Sequence, residues 1–156
     1  MTTLSGDNLS ACLARIIDDL AAHGWSLQPL FTPPTLTLDL AEECRRRAAA
    51  GALVPASVGR GTLVVVSEGV RGDRIQWLEA AQDAACDQYL AIMDGLRQAL
   101  NQDLYLGLED FESHFALYPP GAFYLKHLDR FRDNDRRTVS AVLYLNQDWQ
   151  AEQGGA

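Results

Sequence analysis

The hydrophobic period changes along this chain, and that change limits the folds open to it. The stretch "NLSACLARIIDDLAAHGW" sets Leu9, Leu13, Ile16, Ile17 and Leu20 at the 3.6-residue spacing of an amphipathic helix, with Gly24 placed to stop it. "TPPTLTLDLAEECRRRAAAG" predicts a turn and a second helix carrying Leu36, Leu40 and Cys44 and ending at Gly51. "DAACDQYLAIMDGLRQALNQD" restores the helical period through Ala85, Leu90, Met93, Leu96 and Leu100 and predicts a long helix. "WSLQPLF" reads as a short strand, and the glycine-punctuated segment 52–80, with its apolar run Leu63 to Val66, reads as strands and loops. Toward the end the pattern becomes strand-like. "HFALYPPGAFYLKHLD" predicts two strands joined at Pro-Pro-Gly, and the β-branched and aromatic run from Thr138 to Leu145 predicts another. Helices first and strands last define an α+β fold, with helices packed on one face of a mostly antiparallel sheet.

With 156 residues and 47% hydrophobic content, the chain is long enough to form one domain, residues 1–156, around its own core. A formal charge of −8 argues against a general phosphate-binding surface, so nucleic acid is not an expected partner. The cluster "DRFRDNDRR" holds four arginines from Arg130 to Arg137, but aspartates are interleaved with them, as in a solvated loop. Arg45, Arg46 and Arg47 fall near the end of the second helix, where cations complement the dipole, and read as capping and solubilising residues. Cys12, Cys44 and Cys86 are odd in number and widely spaced, which fits reduced thiols better than a disulfide scaffold or a zinc knuckle. "MTTLSGDNLS" lacks a signal-peptide pattern, and no stretch approaches the ~18 apolar residues of a membrane span. These features predict a soluble, cytoplasmic protein with no membrane partner.

The stretch "FYLKHLDRF" carries the most suggestive chemistry. In an extended chain alternate side chains share a face, so His127 and Asp129 project together. One imidazole and one carboxylate are two parts of the 2-His-1-carboxylate triad that holds non-haem Fe(II). Three histidines and 21 acidic residues in 156 positions give about 0.4 chance occurrences of His-x-acid, so the spacing needs support from its surroundings. Taken singly, His127 reads as a structural histidine, and the nearby tyrosines read as core residues with satisfied hydroxyls.

The surroundings supply that support. "YPPGAFYLKHLDRFRDNDRRTVSAVLYLNQDW" followed by "GG", with "VRGDRIQWLE" upstream, resembles the Fe(II)- and 2-oxoglutarate-dependent prolyl 4-hydroxylases, in the branch that includes the oxygen-sensing enzymes and their bacterial relatives. The resemblance covers most of the chain from about Leu9. It implies N-terminal helices supporting a double-stranded β-helix, or jelly roll. It implies His127 and Asp129 as iron ligands and catalytic residues, Tyr118 and Tyr144 as contacts to 2-oxoglutarate, and Tyr124 and Arg137 as residues lining the pocket or its entrance. Trp77 would shape the substrate side. The implied reaction uses O₂ to hydroxylate a prolyl residue in a protein substrate while 2-oxoglutarate becomes succinate and CO₂; ascorbate is an optional reductant. His23 and His114 match no motif and read as surface or capping residues, and the Arg-Gly-Asp at 71–73 reads as a loop inside the family block.

The family pattern continues with a second histidine ligand and an arginine that pairs with the far carboxylate of 2-oxoglutarate. No histidine follows His127 and no arginine follows Arg137 in this sequence, which reaches Ala156. The expectation is therefore a partial jelly roll lacking its C-terminal strands, with little or no activity by itself. The alternative is a non-catalytic protein-binding module derived from that fold.

Overall fold

The computed structural model describes residues 6–56, 71–125, 138–147, 149, 150 and 152. It is a mixture of helix and antiparallel sheet, in the order α1 (Gly6–His23), α2 (Pro34–Ala49), β1 (Val54–Pro55), β2 (Arg74–Trp77), α3 (Ala84–Leu104) and β3 (His114–Leu117). The chain divides into two compact units, Met1–Leu40 with Glu79–Glu112, and Ala41–Leu78 with Ser113–Ala156.

In the first unit the predicted helical periods become a packed interface. Cys12 and Ile16 of α1 are buried against Leu96 and Leu100 of α3, with Leu13, Ile17, Leu20, Phe31 and Met93 packed around them. The ends of α3 explain where it starts and stops. Asp83 caps the N-terminus, its carboxylate accepting from the amides of Ala85 (2.8 Å) and Cys86 (3.2 Å), which satisfies donors that have no partner within the helix. At the other end Tyr105 turns left-handed (φ 53°) and Asn101 acts as a surrogate peptide group. Its amide donates to the Leu108 carbonyl at 2.8 Å while its carbonyl oxygen accepts from the Leu108 amide at 2.7 Å. That exchange folds the chain back so that Leu106 and Leu108 reach the core.

Gly95 interrupts α3, and a Cβ built there meets nothing within 4 Å. Glycine inside a helix costs conformational entropy without a compensating contact. Gly95→Ala is expected to stabilise the protein by about 0.5–1 kcal/mol, measured by urea denaturation. An unchanged midpoint would mean that the helix needs the glycine for a reason other than space.

The segment expected as a strand at "WSLQPLF" joins no ladder among the described residues. Ser26 and Gln28 both donate to Asp19 of α1, at 2.7 and 3.0 Å, and Leu30 has a positive φ of 61° that reverses the chain. Polar side chains on a neighbouring helix have taken the place of a strand partner.

The second unit holds a three-stranded antiparallel sheet in the order β1-β2-β3. Before it, α2 ends in a Schellman motif. Gly51 lies at φ 71°, its amide donates to Ala48, and the Ala52 amide donates to Arg47. Arg47, expected in solvent, is instead 5% exposed. It lies one helical turn after Glu43, donates to it at 2.6 Å, and stacks 5.5 Å above the Phe115 ring of β3. Arg46, mostly exposed, donates to the same carboxylate at 2.6 Å through both Nε and Nη2. Hydrogen bonding from Arg46, then from Arg47, holds the Glu43 carboxyl down at about 2 against a burial that would raise it.

The predicted strand at 138–145 has no ladder among the described residues. After Pro-Pro-Gly, the pairing among the described residues is the bridge of Arg71 with Tyr124, and the remainder of the expected second strand lies outside them. The apolar run Leu63 to Val66 lies outside the described residues. Among those residues, no helix is long and apolar enough to cross a membrane.

Candidate active site

The β2–β3 ladder builds the site. Opposed residues of an antiparallel pair share a face, so the register Ile75↔Ala116 and Trp77↔His114 fixes one face, and Gln76↔Phe115 with Arg74↔Leu117 fixes the other. Phe115 packs on Arg47 through the second face. The first face continues past β3 to Tyr118, and through β2 back to Asp73.

A tight turn follows Tyr118. The Ala122 amide donates to the Pro119 carbonyl at 2.9 Å, with Pro120 and Gly121 at the centre of the turn. Proline presets one central position, and only glycine adopts the other, at φ 81°, without strain. The reversal carries Phe123 to Gly72, whose amide donates to the Phe123 carbonyl at 3.0 Å. Gly72 is also required sterically, because a Cβ there would lie 3.1 Å from that of Ala122.

These backbone contacts assemble a charged and phenolic cluster. Arg71 donates to both oxygens of Asp73, at 2.7 and 2.9 Å, and its guanidinium lies 4.7 Å from the centre of the Tyr124 ring. The Asp73 side chain is fully buried, and its backbone carbonyl accepts from Ala56 at 2.9 Å. Hydrogen bonding to Asp73 holds Arg71 more firmly protonated than an ordinary arginine. Tyr118 lies within electrostatic reach of Asp73, Arg71, Tyr124 and Tyr144; burial and the Asp73 charge push its hydroxyl up, so it stays a proton donor at neutral pH.

Of the residues singled out in the sequence, Tyr118, Tyr124 and Tyr144 therefore come together, while His127, Asp129 and Arg137 lie outside the described residues. Among the described residues, no group of three or more His, Cys, Asp or Glu side chains could hold a metal ion. The Arg71–Asp73 pair was missed as part of the site. Its signal was present, since residues two apart in an extended segment share a face, the same reasoning that singled out His127 and Asp129.

A cluster of phenols around an arginine–carboxylate pair whose carboxylate is buried suits the binding of a small polar anion. Residues 113–156 match the 2OG-Fe(II) oxygenase superfamily. The fold is similar to the crystal structure of a Pseudomonas putida prolyl-4-hydroxylase, with 62% sequence identity and a TM-score of 0.80 over 89% of this chain and 70% of that one. The chain belongs to the 2OG-Fe(II) oxygenase superfamily, in its prolyl hydroxylase family. Egl nine homolog 1 of Homo sapiens is 33% identical over 95 residues, covering 57% of this chain and 22% of that protein. The Rattus norvegicus homologue is 32% identical over the same length and is covered to 28%, so the chain spans less than a third of these curated relatives.

Proposed function

We propose that this chain carries the metal- and cosubstrate-binding face of a hydroxylase that acts on a prolyl residue in a protein substrate, on a jelly-roll scaffold. The observation that carries the reading is the grouping of Tyr118 and Tyr124 around the Arg71–Asp73 pair, with Tyr144 within electrostatic reach of Tyr118. His127 and Asp129 would supply an imidazole and a carboxylate, a donor set suited to non-haem Fe(II). When bound, Fe(II) and 2-oxoglutarate supply oxidation of an unactivated C–H bond by O₂, with release of succinate and CO₂; ascorbate would keep the metal reduced.

The chain's own residues do the positioning. Tyr118 keeps its proton and can donate to a carboxylate oxygen, and Tyr144 offers a second phenol to the far end of the same dicarboxylate. Arg71 spends its fork on Asp73, so that pair orders the backbone leading into β2 and leaves its guanidinium face against Tyr124. Arg137 would contribute a cation at the entrance. Half-exposed Phe123 and Leu125 would help exclude water. Three free, buried cysteines suit a reducing compartment, consistent with a cytoplasmic site of action.

The whole gene product carrying these residues is the material for the test. Incubated with Fe(II), 2-oxoglutarate and proline-containing peptides, it is expected to add one oxygen atom to a prolyl residue for each succinate released, read by mass spectrometry. Oxidation on another residue type would remove the proline assignment. If iron and 2-oxoglutarate bind but neither succinate nor oxidised peptide forms, the non-catalytic module is the better reading.

A further inference from the structure

Two unfavourable features coincide in the segment between α1 and α2. Leu30 takes a left-handed backbone (φ 61°), which a bulky side chain disfavours, and that side chain is nonetheless 75% exposed. Just before it, Ser26 and Gln28 donate to the same oxygen of Asp19, and the Gln28 amide donates to the Ser26 hydroxyl at 2.8 Å. Those bonds hold both side chains on the side of the chain that faces α1. Alternation sends Trp25 and Leu27 the other way, where they are 66% and 77% exposed. The segment is thus fixed through its polar side while it presents an indole and two leucine side chains to water. No charged side chain stands anywhere from Gly24 to Leu38, in a chain that is 22% charged.

We propose that this patch is a contact between two copies of the chain, in which Trp25 and Leu27 of one copy pack on Leu27 and Trp25 of the other across a two-fold axis, with Leu30 at the edge. Charge selects this occupant. A two-fold contact needs a surface complementary to itself, and an apolar patch without charge meets that condition. A basic partner would find no carboxylate in the stretch to pair with, and a net charge of −8 with no lysine or arginine there disfavours an anionic membrane surface. Two copies meet where neither carries charge, so their mutual repulsion acts at longer range, where salt screens it. Size sets the strength. Three large side chains exposed to this degree offer on the order of 500 Å² per copy, roughly 1,000 Å² for the pair. That is the small end of specific interfaces, so the dimer dissociates at about 10–100 µM.

Sedimentation equilibrium of the 156-residue chain, over about 5–300 µM, tests this. The expected result is a reversible monomer–dimer equilibrium that tightens about two- to fivefold between roughly 50 and 500 mM salt, because screening relieves repulsion without weakening an apolar contact. Leu27→Lys sets like charges against each other across the axis and is expected to weaken the dimer more than about tenfold. Trp25→Ala is expected to weaken it about tenfold by removing the largest contact. Both positions are exposed in the single chain, so circular dichroism should show an unchanged fold. Tyr105→Ser, at a site 88% exposed outside the patch, should leave the equilibrium as it is. A chain that stays monomeric across the whole range would overturn the proposal, as would association that survives both patch variants or that falls as salt rises. The whole gene product, run alongside, supplies a further challenge: a monomer whose melting temperature drops with Leu27→Lys would assign the patch to another segment of the same polypeptide and also overturn the proposal.

Discussion

Replacing Glu43 with alanine is expected to cost about 3–5 kcal/mol of stability, because it removes the carboxylate that accepts from the buried Arg47 guanidinium. Both partners of that pair are almost inaccessible, with side-chain exposures of 6% for Arg47 and 8% for Glu43. Arg46, 66% exposed, can swing into solvent when its partner goes and adds little to the loss. Removing both charges together tells a different story. Glu43→Leu with Arg47→Met keeps apolar volume against Phe115 and is expected to lie within about 1–2 kcal/mol of the parent, in either direction. The pH dependence has a definite sign. Glu43 titrates at about 2 in the folded chain against an ordinary 4.5, so its contribution is complete above about 4.5 and is lost as the pH falls toward 2. Urea denaturation at pH 7 and pH 3 should therefore show the parent losing more stability on acidification than the double variant. An alanine variant within about 1 kcal/mol of the parent at pH 7 would show that Arg47 does not depend on Glu43 for its place in the fold.

The helices were legible in the sequence because their signal is local. The 3.6-residue period of Ile16, Ile17 and Leu20, or of Met93, Leu96 and Leu100, depends only on which face is apolar, and Gly51 marked the end of α2 at the correct turn. Strands were less legible because a ladder needs a partner that propensity does not name. Thr138 to Leu145 has the composition of a strand, and "WSLQPLF" has the alternation of one, yet neither pairs among the described residues. In the second case Asp19 captured Ser26 and Gln28, a contact over seven and nine residues that no period encodes. The burial of Arg47 was half-visible: Glu43 stands four residues before it, the spacing of a helical ion pair, but the packing of Phe115 from distant β3 against Arg47 is a tertiary contact that no local spacing encodes. The site shows the same split. Tyr118, Tyr124, Tyr144 and Trp77 were found through family blocks, whereas the grouping of Arg71 and Asp73 with the tyrosines depends on the β2–β3 register and the turn at Pro120–Gly121. His114, read from the sequence as a surface or capping residue, does lie at the surface, but on the face that carries Tyr118.

An anaerobic titration of the 156-residue polypeptide with Fe(II) in the presence of 2-oxoglutarate is expected to develop the visible charge-transfer band of a chelated keto acid only at high metal concentration. On the proposed reading His127 and Asp129 would supply two donors, where an iron site of this class uses three protein ligands. Even disturbing a ligand's supporting hydrogen bond costs about 10–100-fold in metal affinity, so a site held by these two donors alone should be weaker by at least that much. His127→Ala is expected to abolish the band. Tyr118→Phe tests the cosubstrate side of the same cluster. Its hydroxyl is kept protonated, so its loss removes a donor to a charged carboxylate, and 2-oxoglutarate should bind about 10–100-fold more weakly while metal binding without 2-oxoglutarate changes little. A strong band at stoichiometric iron would contradict the two-ligand expectation and require another group to complete the site. His23→Ala and His114→Ala then separate the two remaining histidines: the variant that loses the band names the recruited ligand, and retention in both assigns the position to a carboxylate or to solvent.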